Sequence, residues 1–297
     1  MSIHERPGWK DVALLVALGV GWGSTQPLGK IAASTGHPPF GLIFWQTVIM
    51  VVVLGALMVA RGLRPRFNRG AMIFFGVVAV LGTIIPNASF YISVARLPAG
   101  IMSILISTVP LIAFPMAMAV GADRFGWQRL GGLMLGMVGV ALIVLPRASL
   151  PDPAMVAFLP LAMVGPFFYA LEGVFVARFG TGGMHPIAAM FGTMVLVLIL
   201  LVPILAVTGQ FYVPSLPLGT ADLALILSSG MSGILYATYV GLAVRAGAVF
   251  ATQTSYVVTV AGIAWASLLL GERLSAFVLV GATVLLLGVS LVRPRHR

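Results

Sequence analysis

Apolar runs of about twenty residues recur along nearly the whole chain, separated by short segments rich in Pro, Gly and charge. Wound as a helix, a run of that length crosses the hydrocarbon core of a bilayer. Lipid offers stray backbone groups no hydrogen bonds, so a spanning segment is a helix or a strand of a closed barrel. The runs lack period-2 alternation, which selects helices. Spans fall at about 12–33, 40–60, 70–94, 98–120 and 127–145, then at about 154–178, 186–207, 221–244, 247–270 and 275–292. The clearest punctuation is Arg61-Gly-Leu-Arg-Pro-Arg-Phe-Asn-Arg69, Ser149-Leu-Pro-Asp-Pro153 and Gln210-Phe-Tyr-Val-Pro214.

The expected class is therefore an all-α integral membrane protein of ten transmembrane helices. Composition agrees: 60% of the 297 residues are hydrophobic, 8% are charged and the mean hydropathy is +1.10. So few charges cannot cover a soluble domain, which excludes a soluble enzyme and a nucleic-acid-binding protein. The net charge of +10 comes from 17 basic residues against 7 acidic ones. Lys30, Arg96, Arg147 and Arg273 fall on one side of the spans and the other basic residues fall on the N-terminal side. That bias puts both termini in the cytoplasm. The four arginines from Arg61 to Arg69 are read as topology anchors, with binding of a partner or of lipid head groups as the alternative. The first apolar run begins near Val12, lacks a small-residue cleavage site and is read as a span rather than a signal peptide. Cysteine is absent, so no disulfide, haem attachment or thiolate metal site is expected, and no cofactor is assigned.

The chain is self-similar. A shift of 149 residues lays 94–143 on 243–292 without a gap, matching Arg96 with Arg245, Asp123 with Glu272, Arg124 with Arg273 and Gly139 with Gly288. A shift of 148 lays His37-Pro38 on His185-Pro186 and Lys30 on Arg178. Two five-span halves, 1–148 and 149–297, follow. Five is odd, so the second half is expected upside down relative to the first, around a central cavity. That plan recurs in secondary transporters.

Gly21-Trp-Gly-Ser-Thr25 in span 1 resembles the Trp-Gly-Ser/Thr start of the EamA family of the drug/metabolite transporter superfamily. Leu270-Gly-Glu-Arg-Leu-Ser275 resembles that family's Leu-Gly-Glu hallmark, with Val120-Gly-Ala-Asp-Arg-Phe125 its degenerate counterpart. Within the family the chain is most similar to the YddG-type bacterial exporters of aromatic amino acids. The resemblance implies export of amino acids, aromatic or large neutral ones favoured, across the bacterial inner membrane by alternating access. One departure is Gln46, where many members carry an arginine.

Polar residues inside spans usually face a cavity or another helix. Span 9 carries Thr252, Ser255, Tyr256 and Thr259 on one face, and span 4 carries Ser103, Ser107 and Pro110. Span 3 carries Thr83, Asn87, Phe90 and Tyr91; its repeat mate, span 8, carries Ser232, Tyr236 and Tyr239. Spans 1 and 6 add Trp22, Thr25, Gln26, Tyr169 and Glu172. The candidate cavity residues are Trp22, Gln26, Asn87, Tyr91, Ser103, Ser107, Tyr169, Tyr236, Tyr239, Thr252 and Tyr256. About half the hydroxyls are expected to make interhelical hydrogen bonds instead, worth about 0.6 kcal/mol each. Trp45 and Trp265 read as ordinary interfacial tryptophans. Pro86, Pro110, Pro115 and Pro166 are candidate bends. Spans 5 and 10 lack a polar stripe; Gly132, Gly136, Gly281 and Gly288 make them peripheral packing supports or a weak homodimer contact in an otherwise monomeric protein.

Glu172 is the one acidic residue well inside a span. It is a candidate proton or amine site, against the alternatives of a structural pair or a carboxylate reaching to water. No Lys or Arg occupies a mid-span position, which argues against phosphorylated substrates and for a neutral or zwitterionic one. The histidines lie at loops or termini, and His-Glu-x-x-His and phosphate-loop motifs are missing. Neither an enzyme nor an ATPase is expected. The alternatives to amino-acid export are export of another neutral or amphipathic metabolite or drug and, behind it, a passive channel.

Overall fold

The computed structural model describes residues 8–121, 126–144, 152–246 and 254–291, and their regular structure is helical throughout. Within these described residues the helices form ten rods: α1 (Trp9–Ala33), α2 (Pro39–Ala60), α3 (Arg69–Val94), α4 (Ala99–Ala119), α5 (Trp127–Val144), α6 (Leu159–Phe179), α7 (Pro186–Thr208), α8 (Thr220–Ala246), α9 (Thr254–Leu270) and α10 (Ala276–Leu291). Among the described residues, seven segments are long and apolar enough to cross a membrane: α1, α2, α3, α4, α7, most of α8, and α6 together with the 3-10 turn Pro153–Phe158 before it. The remaining rods hold shorter apolar stretches, Leu130–Leu142, Thr254–Leu270 and Ala276–Gly288.

Local chemistry sets the ends. Pro39 and Pro186 open α2 and α7, where a missing N–H costs no helical bond. The Asn68 side chain accepts from Ala71 N at 2.8 Å and caps α3. Two rods are not uniform. α3 passes through a π-helical segment, Val78–Ile84, just before Pro86, and α4 is interrupted at Ser107 and Thr108, just before Pro110. A proline ring lacks the N–H and crowds the carbonyl four residues back, here Gly82 and Ile106, so the chain widens or breaks there. Pro115 and Pro166 sit inside continuous helix.

α1 packs on α8 and α9, as α6 packs on α3 and α4; α2 pairs with α7 and α5 with α10. Exchanging α1–α5 with α6–α10 maps these pairs onto themselves. Small residues permit the closest approaches. A methyl on Gly23 of α1 would stand 2.7 Å from Gly262 N of α9, and Gly262 in turn abuts Ser103 of α4. α5 and α10 bury Gly139 and Gly288 against each other's backbone and expose Met134, Val138, Leu279 and Leu287 on the outside.

The loop after α7 folds back onto α2. Gln210 Oε1 accepts from Phe40 N at 3.2 Å, Trp45 Nε1 donates to Tyr212 O at 2.9 Å, and His37 stacks on Tyr212 with centroids 3.9 Å apart. Burial and the nearby Asp222 charge push the Tyr212 phenol up to about 12, so it stays neutral.

Candidate functional site

Glu172 lies on α6, 4% exposed. Tyr236 of α8 donates its hydroxyl hydrogen to Glu172 Oε1. Gly82, in the π segment of α3, supplies the floor: a methyl there would lie 2.6 Å from Glu172 Cδ. The carboxyl is thus reached from α3, α6 and α8 together. Between described residues, no lysine or arginine forms an ion pair with it. A carboxyl buried without a cation calls for a proton or an incoming cation.

Aromatic rings adjoin it. The Trp22 ring of α1 stands 5.3 Å from Tyr239 and 6.2 Å from Tyr236, edge to face in both cases. The two tyrosines are 6.5 Å apart. Tyr169 sits one turn before Glu172 on α6 and within its electrostatic reach. Aromatic faces beside a carboxylate suit an ammonium group through combined Coulomb and cation–π attraction.

A second polar cluster joins α2 to α3. Tyr91, 3% exposed, donates to Gln46 Oε1 at 2.5 Å; Gln46 Nε2 approaches Asn87 Oδ1 at 3.4 Å; Asn87 Nδ2 donates to Thr83 O at 2.8 Å. Thr83 follows Gly82, so α3 carries both clusters less than two turns apart. Gln26 lies seven residues from the end of α1, Asn87 seven from the end of α3 and Gln46 seven from the start of α2. The three amides therefore share a level, about 10 Å from one end of the bundle. Gln26 Oε1 is buried with no hydrogen-bond partner.

Three other expected lining residues, Ser103, Ser107 and Tyr256, make different contacts. Ser103 and Ser107 are fully buried and give their hydroxyls to Ala99 O and Ile104 O of their own helix. Thr259 bonds Ser103 O across the α4–α9 contact at 3.2 Å. Tyr256 is half-buried against the main apolar core. Thr252 lies outside the described residues. An apolar groove of about 410 Å³ opens between α4, α5 and α6, along Leu111, Leu133, Met137 and Met163, and shares no lining residue with the Glu172 cluster.

Sequence reasoning passed over Gln46 and Gly82. The rule that intramembrane polar residues are costly singles out Gln46, which the family pattern presents only as a departure from arginine. Gly82 gave no signal, because a glycine in an apolar run reads the same whether it faces lipid or a carboxyl.

The profile of the EamA-like transporter family matches the chain twice, over residues 9–145 and 157–293. A solved crystal structure shares the fold, with a TM-score of 0.61 and 18% identity over 96% of this chain and 98% of that one. No curated protein matches the chain in sequence.

Proposed function

The chain belongs to the EamA-like transporter family, and from that premise we propose that it is a secondary transporter exporting amino acids, aromatic or large neutral ones above all, across the bacterial inner membrane. The observation that carries this proposal is the buried Glu172 carboxyl, held by Tyr236 and walled by Trp22 and Tyr239. An amino acid would place its ammonium at Glu172 and its side chain against the rings. Its carboxylate would meet the amides, since each NH₂ of Gln46 and Asn87 keeps a second hydrogen to donate. Lys30, the cation nearest the middle of a rod, is engaged by Glu272, which leaves phosphorylated solutes no counter-charge.

In this proposal all ten rods span the membrane as two inverted repeats, 1–148 and 149–297, with both termini cytoplasmic. The exchange symmetry of the helix pairs and the basic bias of the loops support it. A cysteine introduced at Ser2 is expected to label only after permeabilisation, and one at Ser215 in intact cells. The opposite pattern would reverse the orientation.

The carboxylate and rings also favour a second reading, an exporter of amines lacking a carboxylate. Purified protein in liposomes, offered amino acids, amines, sugars and nucleotide sugars, separates the two. We expect saturable counterflow of large neutral amino acids. Transport confined to amines would select the second reading, and transport confined to phosphorylated compounds would reject both. Flux without counterflow would indicate a pore.

A further inference from the structure

We propose that Lys30, Glu272 and the first backbone amides of α4 form a latch that closes one end of the transport path and must release in every cycle. This rests on the transport function proposed above. The closed end is the one where α1 and α3 finish, the outer end in the proposed orientation.

Three segments distant in sequence meet there. Glu272, in the turn after α9, accepts from Ala99 N on Oε1 at 2.8 Å and from Gly100 N on Oε2 at 3.0 Å. Lys30, near the end of α1, donates to Glu272 Oε1 at 3.0 Å and to Leu97 O at 2.8 Å. A carboxylate on the free N–H groups of a helix start, paired with an ammonium, makes a set of strong charge-assisted bonds. Gly271 supplies the turn: at φ 66 its backbone is left-handed, and its N–H closes α9 on Ser267 O at 3.1 Å.

Two features make this contact a latch rather than a permanent brace. The Lys30 and Glu272 side chains are 29% and 13% exposed, so water reaches both charges as they part. Breaking a fully buried pair would instead strand its charges. The latched turn, Leu97 to Gly100, is also the tip of a helical hairpin with a weak point in each leg. One is the π segment Val78–Ile84 followed by Pro86, and the other is the interruption at Ser107 and Thr108 followed by Pro110. The tip is held by charge, and both legs are built to bend.

The chain has no cysteine, so an introduced pair reports cleanly. Gly100 gives the latch only its backbone N–H, which a cysteine keeps, Leu274 lies beside it, and a Cβ on Gly100 would lie 3.5 Å from Leu274 Cγ. In Gly100→Cys/Leu274→Cys protein, oxidation should cut transport at least ten-fold and reduction should restore it, while each single variant ignores oxidant. A fully cross-linked protein that transports at its reduced rate would overturn the proposal. Adding Glu272→Gln to the pair should slow cross-linking several-fold by letting the tip swing away, with Lys30→Met as the substitute should that protein not accumulate. An unchanged cross-linking rate would also overturn the latch. Cross-linking needs no substrate, so a wild type that moves none of the offered compounds would reject the proposed function and leave the latch to be decided by this rate.

Discussion

Glu172→Gln should raise the half-saturating concentration of an amino-acid substrate about ten- to a hundred-fold in liposomes and leave the yield of folded protein unchanged. Glutamine has nearly the same shape and keeps an oxygen to accept the Tyr236 hydroxyl, so the helices stay joined. What disappears is the negative charge that the ammonium of the proposed substrate would meet. A hydrogen bond to a charged group is worth about 1.5–3 kcal/mol, and each 1.4 kcal/mol is about ten-fold in affinity. Tyr236→Phe should cost less, since it removes a neutral group that only orients the carboxyl. An unchanged half-saturating concentration in the glutamine variant would take Glu172 out of the substrate site. The same pair of proteins tests energy coupling. Both are expected to equilibrate substrate and to ignore an imposed pH gradient. If the wild type concentrates substrate only with that gradient and the glutamine variant merely equilibrates it, Glu172 is the proton carrier and facilitated exit is the wrong mechanism.

Gly139→Leu should abolish accumulation of folded protein, whereas Gly131→Ala on the same helix should accumulate at least as well as the wild type. A Cβ at Gly139 would lie 2.5 Å from Leu285 N and 2.8 Å from Gly281 O of α10. Both are backbone atoms of a rigid helix, so no rotamer change relieves the clash. Overpacking a well-packed contact costs about 1–3 kcal/mol where side chains can adjust; against fixed backbone the cost should exceed that range. Gly288 makes the reciprocal approach, with Gly132 O 2.7 Å from its added methyl, and Gly288→Leu should fail likewise. Gly131 has nothing within 4 Å of an added methyl, and alanine is the better helix former by about 1 kcal/mol. Size-exclusion profiles of detergent-solubilised protein read the outcome. A monodisperse Gly139→Leu protein with wild-type yield would mean that α5 and α10 do not pack this way.

These glycines show where sequence stops being informative. Within the described residues the apolar runs place the rods to within a few residues, the expected start of span 9 near 247 lying outside them, and the small residues of spans 5 and 10 announce close packing. The repeat lays Gly139 on Gly288 and Gly131 on Val280, but nothing in the string says that Gly139 meets the backbone of α10 while Gly131, eight residues before it, meets nothing. The same holds for the polar clusters. Polar stripes named Trp22, Asn87, Tyr236, Tyr239 and Glu172, and the fold brings Trp22, Tyr236, Tyr239 and Glu172 into one cluster. Ser103 and Ser107 satisfied the same rule equally well, yet their hydroxyls close on their own helix. A hydroxyl reaches a carbonyl one turn back, as one hydrogen of the Asn87 amide also does at Thr83 O, whereas a phenol is too long to fold onto its own backbone so readily.

By itself the sequence determined that this chain is a set of apolar helices arranged in two related halves. Each of those properties is enforced locally: a backbone in hydrocarbon must satisfy its hydrogen bonds within its own segment, and the repeat is written in matched residues. Only the tertiary structure decided that Glu172 meets Tyr236, that Gln46 holds Tyr91, and that Lys30 meets Glu272. Those pairings depend on how each rod is turned about its axis. Hydrophobicity says little about that rotation when apolar side chains cover every face and the surroundings are apolar too. The few polar groups and the shapes of small residues set it, and both act only once the helices touch.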